Sequence, residues 1–240
     1  MRIGLALTPK YSETAKKIYF SLKAEGFQPD FIVYCFPQQQ TIFKFLNFKK
    51  FIKNLIIKIT PMLILKSLYG NYLPGEISKI YYVKGINSNR ALRVFLKEGP
   101  SVVVVFGCGI VGKRLCDHFH NVLLNAHAGK LPEYRGVNNV EWAYLEDAPL
   151  IGTIHFIVSH IDAGDIVYEQ VLRKEEQATS IDEIRKKAFE QVFELFPKAI
   201  KRLQQTDFMA IKQNKERTTR YVMHPFLRYI LEKRLHSNTK

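Results

Sequence analysis

Acidic residues are the scarce class in this chain. Against 36 lysines and arginines stand 22 aspartates and glutamates, a formal net charge of +14 in 240 residues. From Phe31 to Gly75 there is no acidic residue at all. Such an excess favours an anionic partner and selects none among phosphorylated metabolites, nucleotide sugars, folate polyglutamates, nucleic acid or an anionic membrane surface. Cysteine is scarcer still. Cys35, Cys108 and Cys116 are an odd set without metal-ligand spacing, and Cys35 and Cys108 sit in apolar runs, so they read as buried reduced thiols of a cytosolic protein. His118-Phe119-His120 has no carboxylate or cysteine at ligand spacing, and no metal is expected there. The apolar run between Pro37 and Gly75 is repeatedly broken by lysines, which argues against a membrane span. A secretory pattern is missing too: the amino terminus opens on a strand, Met1 to Leu7, and a cytoplasmic location is expected. Internal repeats and low-complexity tracts are absent.

The length suits one α/β domain with a substantial core and a small addition. Arg2 to Leu7 reads as a strand, Ser12 to Glu25 as an amphipathic helix capped by Ser12 and ended by Gly26, and Asp30 to Phe36 as a second strand. Lys79 to Val83 is a short strand, and Ser88 caps a helix to about Glu98. Ser101 to Phe106 is a continuous apolar run between Pro100 and Gly107, as expected of a strand buried on both faces. A helix near Val111 to His118 leads to a further strand. Strands alternating with helices in this way predict a mostly parallel, doubly wound sheet with ligands at the carboxyl ends of its strands. Pro37 to Gly75 departs from this rhythm. Its lysines interleave with Phe43, Phe45, Phe48 and Phe51, predicting basic amphipathic helices that pack on the domain, touch a membrane surface or partner, or cover a substrate channel. Near the end, Ser180 and Glu183 form a capping-box pattern opening a helix expected to run past Pro197 to about Gln204. The basic, aromatic tail beyond carries no RNA- or zinc-binding pattern and is expected to pack on the core or form a homodimer.

The chemistry lies in Asn125-Ala126-His127-Ala128-Gly129-Lys130-Leu131-Pro132-Glu133-Tyr134-Arg135-Gly136. Val122-Leu123-Leu124 delivers Asn125 and His127 to the end of a strand, and side chains two apart on a strand share a face. A second apolar strand, Ile154 to Val158, ends in His160-Ile161-Asp162-Ala163-Gly164-Asp165. An amide donor, a titratable base and a carboxylate, each where a strand gives way to a loop, suit acyl transfer. Asn125 would donate to a developing oxyanion, His127 would accept or relay a proton, and Asp162 would orient the imidazole, stabilise its charged form or manage a proton-carrying water. His155, inside its strand, reads equally as a hydrogen-bonded core residue or a site-lining one. His160 reads as a turn residue. Cys108 admits an acyl-cysteine route or a packing role.

The Asn-x-His, the Leu-Pro-x-Tyr-Arg-Gly loop and the later Ile-Asp-x-Gly-Asp-Ile together resemble the folate-dependent formyltransferases, most strongly from Pro100 to Tyr168. The resemblance implies a Rossmann-like formyltransferase fold and 10-formyltetrahydrofolate as formyl donor. It places the family's catalytic residues on Asn125, His127 and Asp162, with Asp162 preferred to Asp165 as the first acid of the Asp-x-Gly signature. It also implies a pterin crevice lined around Leu92, Phe106, Gly107, Cys108, Gly109 and Ile110, closed by Ser159 and Ile161 in the loop from Val158 to Asp162. Lys130, Arg135 and Gly136 become the candidate acceptor-binding residues. Arg135 would clamp an anionic group or pin the loop through backbone carbonyls. One departure stands out: the family's loop carries serine after the histidine, and this chain has Gly129 followed by Lys130. Residues 1–204 are read as the catalytic domain, 37–78 as an atypical basic insertion within it and 205–240 as a basic carboxyl-terminal extension.

Among acceptors, Thr8-Pro9-Lys10-Tyr11-Ser12 is a poor match to the phosphate loop of glycinamide-ribonucleotide enzymes, and few residues follow the catalytic region to supply the extra domain of initiator-tRNA enzymes. A nucleotide-linked amino sugar is favoured, with folate as the second small-molecule partner and no DNA expected. Glycinamide ribonucleotide, peptide-linked or aminoacyl amines, and a non-catalytic basic nucleic-acid-binding protein on the same scaffold are the alternatives.

Overall fold

Apolar runs long enough for a strand and flanked by turn residues become the centre of a sheet. The structure is a computed structural model that describes residues 1–8, 12–36, 77, 79–214 and 220–237. The expected basic insertion at 37–78 lies outside the described residues apart from Ile77, as does the capping side chain of Ser12. β1 (Ile3–Leu7), β2 (Phe31–Cys35) and β4 (Val102–Phe106) are buried almost throughout, as parallel strands covered on both faces must be. β3 (Ile80–Val83) lies at one edge. Alternation along each strand separates two apolar layers. Ile3, Leu5, Leu7, Val102 and Val104 face one, and Ala6, Phe31, Val33, Val103 and Val105 face the other, the two-residue period expected of side chains on a pleat.

The helices α1 (Ser12–Ala24), α2 (Asn89–Glu98) and α3 (Lys113–His118) connect these strands. Ser88 caps α2 through its hydroxyl, which accepts from the Ala91 amide, and Gly99 closes the helix in the left-handed region at φ 54°, where the lack of a Cβ removes the steric penalty. β5 (Leu123–His127), α4 (Asn139–Leu145), β6 (Ile151–Phe156) and β7 (Ile166–Val171) follow. The sheet order is β3-β2-β1-β4-β5-β6-β7. β1 to β5 pair in parallel, while β6 and β7 add antiparallel strands beyond β5. The sheet is therefore mostly parallel and doubly wound, reversing its build direction between β1 and β4, where such sheets open a crevice.

The expected single helix from Ser180 to Gln204 is two: α5 (Ile181–Phe193) and α6 (Leu195–Leu203). Pro197 has no amide hydrogen for an intrahelical bond, and its ring would meet the carbonyl four residues back. That carbonyl belongs to Phe193, and the helix ends there. Beyond residue 204 the chain returns to the sheet. Ile211 exchanges backbone hydrogen bonds with Ile166 at 2.8 and 2.9 Å, and Arg220 pairs with the Arg135–Val137 segment. α7 (Pro225–Ser237) then buries Leu231 and Leu235 against α4 and α5. No helix among the described residues is long and apolar enough to cross a membrane.

Leu231 is fully buried, so Leu231→Ala should cost roughly 2–5 kcal/mol of unfolding free energy. Urea denaturation would measure it. An unchanged midpoint would mean that the residues beyond 204 contribute nothing to the stability of the body.

Candidate active site

The register between β5 and β6 builds the site. It sets Asn125 opposite His155 and His127 opposite Thr153, so the amide and two imidazoles come from neighbouring strands at their shared end. The Thr153 hydroxyl donates to the carbonyl of Gly129 at 2.9 Å, tying the loop after His127 to β6. Asp162 enters from the β6–β7 turn with φ 48°, a left-handed conformation that non-glycine residues hold only where their surroundings impose it. The turn folds tightly onto β6. The Phe156 amide donates to the Asp165 carbonyl at 3.0 Å, and a Cβ on Gly164 would lie 1.8 Å from the Phe156 carbonyl oxygen. Only glycine fits there. At Gly129 a Cβ would lie 2.8 Å from Cβ of Asn139 and 3.2 Å from Nε2 of His127; the missing side chain lets α4 and the imidazole approach the loop.

Nε2 of His127 stands 2.7 Å from the carbonyl oxygen of Tyr134. A carbonyl only accepts, so this nitrogen carries a hydrogen. Nδ1 stands 3.5 Å from Oδ2 of Asp162. Burial pushes the pKa of His127 below its ordinary value and the neighbouring His155 adds to that, against the pull of Asp162 and the Tyr134 carbonyl. The ring is accordingly neutral near pH 7, with the Nδ1 lone pair turned to the carboxylate. For Asp162 burial acts upward, but His127, His155 and the Gly136 amide outweigh it and bring the pKa to about 2. The Gly136 N–H donates to Oδ2 at 3.0 Å.

His155 is both things the sequence left open. Its Nδ1 donates to the Phe156 carbonyl at 2.8 Å, leaving Nε2 to accept from Nδ2 of Asn125 at 3.3 Å. The same Nε2 is 3.6 Å from Oδ1 of Asp162. The ring is buried, yet it also forms the floor of a cleft of about 250 Å³ together with Asn125 and Asp162. The remaining walls are Val105, Gly107, Cys108, Gly109, Ile110 and Val111 on one side and Ile157, Val158, Ser159, His160 and Ile161 on the other. His127 lies behind this wall, reaching the cleft through Asp162.

Two residues expected in the crevice are elsewhere. Phe106 points to the opposite face of the sheet, edge-to-face on Phe193 at 4.8 Å; strand alternation gives the cleft to Val105 instead. Leu92 is buried in the apolar layer beneath α2 and does not line the cleft. Arg135 does not line the cleft, and of its two expected roles its bonds fit the one that pins the loop. Its guanidinium is buried and donates to Oε1 of Gln213 at 3.0 and 2.7 Å and to the Asn214 carbonyl at 2.9 Å. A buried guanidinium must be hydrogen-bonded to offset its desolvation, and Arg135 makes these bonds to Gln213 and Asn214. Gly136 contributes its amide to Asp162, and Lys130, half-exposed, stands 3.3 Å from Glu133. Cys108 lines the cleft, but the adjacent Cys35 thiol and burial raise its pKa well above normal, so it is a thiol and a poor nucleophile. Among the described residues no cluster of His, Cys, Asp and Glu could hold a metal ion.

Sequence reading missed Gln213, Thr153 and the Tyr134 carbonyl. None carries a motif. Gln213 sits in a tail without recognisable pattern, and a backbone carbonyl leaves no trace in residue type.

The Asp162 pKa predicts an acid-labile contribution. A carboxylate whose pKa falls from 3.8 to about 2 on folding stabilises the fold above pH 4 by about 2 kcal/mol and loses that contribution as pH falls from 4 to 2. Asp162→Asn should flatten that part of the stability–pH curve, as measured by urea unfolding across this range. An identical acid limb in both proteins would contradict the pairing.

Known proteins share both sequence and fold with this chain. A family model described as formyl transferase matches residues 50–200. A methionyl-tRNA formyltransferase of Clostridium tetani is 29% identical over 144 residues, covering 59% of this chain and 46% of that protein. One of Finegoldia magna is 33% identical over 86 residues, covering 35% and 28%. The chain thus spans less than half the length of these curated relatives. Among solved structures, a phosphoribosylglycinamide formyltransferase of Anaplasma phagocytophilum superposes with a TM-score of 0.56 at 16% identity, over 90% of this chain and 96% of the other. A sugar N-formyltransferase of a Shewanella species gives 0.53 at 14% identity, over 92% and 76%. At such identities the likeness establishes the shared α/β fold. The stretch matched by the family model covers more than half of the chain and contains Asn125, His127, His155 and Asp162, and the chain belongs to the formyl transferase family.

Proposed function

We propose that the protein transfers a formyl group from 10-formyltetrahydrofolate directly to the primary amine of a nucleotide-linked amino sugar, with Asn125, His127 and Asp162 as its catalytic residues. The observation that carries this reading is Nδ1 of His127 facing the Asp162 carboxylate at 3.5 Å, beside a cleft that Asp162 and Asn125 both line. When bound, the folate supplies an activated one-carbon acyl group. The cleft suits a heterocycle with apolar faces and polar edges: the 107–111 and 157–161 segments that line it combine Ile110, Val111, Ile157, Val158 and Ile161 with Ser159 and His160.

Each residue then meets one demand of acyl transfer. As the amine nitrogen bonds to the formyl carbon, charge develops on the formyl oxygen. An Asn125 N–H not engaged by His155 is placed to stabilise it, a contribution of about 3 kcal/mol in comparable sites. The attacking nitrogen must shed a proton. Asp162 borders the cleft but is far too acidic to retain that proton at neutral pH, whereas the lone pair of His127 behind it is the stronger base. The proton passes along Asp162 to Nδ1, and the resulting imidazolium is stabilised by the carboxylate and by the Tyr134 carbonyl at 2.7 Å. Collapse of the adduct returns a proton to the departing folate nitrogen by the reverse path. No nucleophilic side chain is needed, consistent with a protonated Cys108.

The amino-sugar acceptor is supported by the net charge of +14, which suits a diphosphate-bearing substrate, and by half-exposed Lys130 in the loop after His127. With Arg135 buried, Lys130 is the cation of that loop left for the acceptor phosphates.

The test is to supply 10-formyltetrahydrofolate with a panel of nucleotide-linked amino sugars, glycinamide ribonucleotide and aminoacyl-tRNA, and to follow formyl incorporation by mass spectrometry. Incorporation into the sugars is expected. Exclusive formylation of another amine would overturn the acceptor, and formate release without any acceptor would overturn the transfer. His127→Ala and Asp162→Asn should each lower turnover by roughly a hundredfold or more while the fold survives. Near-normal turnover in a folded Asp162→Asn protein would reject its role. Lys130→Ala should raise the acceptor KM several-fold with little change in folate affinity; equal acceptor constants in both proteins would remove Lys130 from the acceptor site.

A further inference from the structure

The family model ends at residue 200, yet two side chains that hold the catalytic pair in place come from beyond it. Gln213 is almost fully buried and uses every polar atom of its amide. Its Nε2 donates to the carbonyl of Asp162 at 3.1 Å and to the carbonyl of Gly164 at 2.5 Å, while its Oε1 accepts twice from Arg135. One side chain therefore bridges the turn that carries the carboxylate and the loop whose next residue, Gly136, donates to that carboxylate. Arg220 does the same for the imidazole. Its guanidinium stacks on Tyr134 at 4.6 Å and Trp142 at 4.9 Å and pairs with Glu146 at 2.7 Å, fixing the residue whose carbonyl holds Nε2 of His127.

Asp162 sits in the left-handed region at φ 48°. A non-glycine residue there is held by its surroundings at a cost, and the two amide hydrogen bonds from Gln213 act on the backbone of that very turn. Resting on the formyl-transfer reading of the site, we propose that Gln213 is a positioning residue: it locks the Asp162 turn in the conformation that sets the carboxylate against His127. The competing role, a partner for the buried Arg135 guanidinium alone, is separable. Glutamate keeps the acceptor oxygens for Arg135 and lacks the two N–H donors to the turn.

Gln213→Met and Gln213→Glu are compared with the unaltered protein in two measurements. The first is turnover with the amino-sugar panel, split into kcat and KM. The second needs no substrate: the His127 ring nitrogen resonances and the Gly136 amide resonance by NMR. Both variants should lose kcat by roughly tenfold or more, because a misplacement of an ångström in a catalytic group costs up to a hundredfold. Folate KM should stay within about threefold in each, since Gln213 lies outside the cleft walls. The His127 and Gly136 signals should move in each. Full kcat in a folded Gln213→Glu protein, or unmoved His127 and Gly136 signals, would overturn the proposal. Should Gln213→Met fail to fold, Gln213→Glu decides alone. A wild-type protein silent towards every amine would reject the formyl-transfer reading, and the resonances would still decide the role of Gln213.

Discussion

One buried imidazole faced by two acceptors is the constraint around which the site is arranged. The Tyr134 carbonyl claims one nitrogen of His127, and a carboxylate held near pKa 2 faces the other. Burial keeps the ring neutral, so the pair stands one proton short of its most favourable electrostatic state. That shortage is a chemical capacity. A proton arriving at Nδ1 would meet partners already oriented around the ring. Thr153 under Gly129, Gly136 on Asp162 and Gln213 on the Asp162 turn all serve to keep three groups at fixed separations.

Two sections of chain contribute to that rigidity in different ways. The antiparallel β5–β6 pair supplies Asn125, His127 and His155 on strands, whose positions follow from the ladder itself. Asp162 sits on a turn with an unfavourable backbone angle, and turns of this kind need external support. The support comes from the tail: the Ile211–Ile166 and Arg220–Arg135 backbone bonds bring Gln213 and Arg220 against the loops that carry Asp162 and Tyr134, and α7 anchors the end through Leu231 and Leu235.

Much of this was legible in the sequence where a short period or a local rule operates. Asn125 and His127 stand two apart in an apolar strand, so their common face follows from strand geometry. The cap at Ser88 and the helix end near Glu98 also read directly. The same two-residue period gives only one of Val105 and Phe106 to the cleft, and it is Val105, not the Phe106 that the resemblance implies. The helix break before Pro197 follows from the proline itself, which lacks an amide hydrogen and crowds the carbonyl four residues back. Arg135 and Gln213 are of another kind. Their partnership joins residues 78 positions apart, and a guanidinium in a polar loop gives no sign of whether it faces solvent or the interior. Long-range polar pairing has no local signature, and only the folded chain discloses it.

The antiparallel pairing of β6 with β5 makes the composition of the site a matter of strand alignment. A slip of one residue in that ladder would exchange the faces of β6 and send the His155 ring to the opposite layer. A slip of two would keep the face but bring Thr153 or Ile157 opposite Asn125 in place of His155. The bulge between Ile154 and His155 in the β6–β7 pairing lies next to that point, so an irregularity on the outer edge sits beside the alignment on which the inner one depends. Chemistry here is specified as much by where two strands start to zip together as by which side chains they carry.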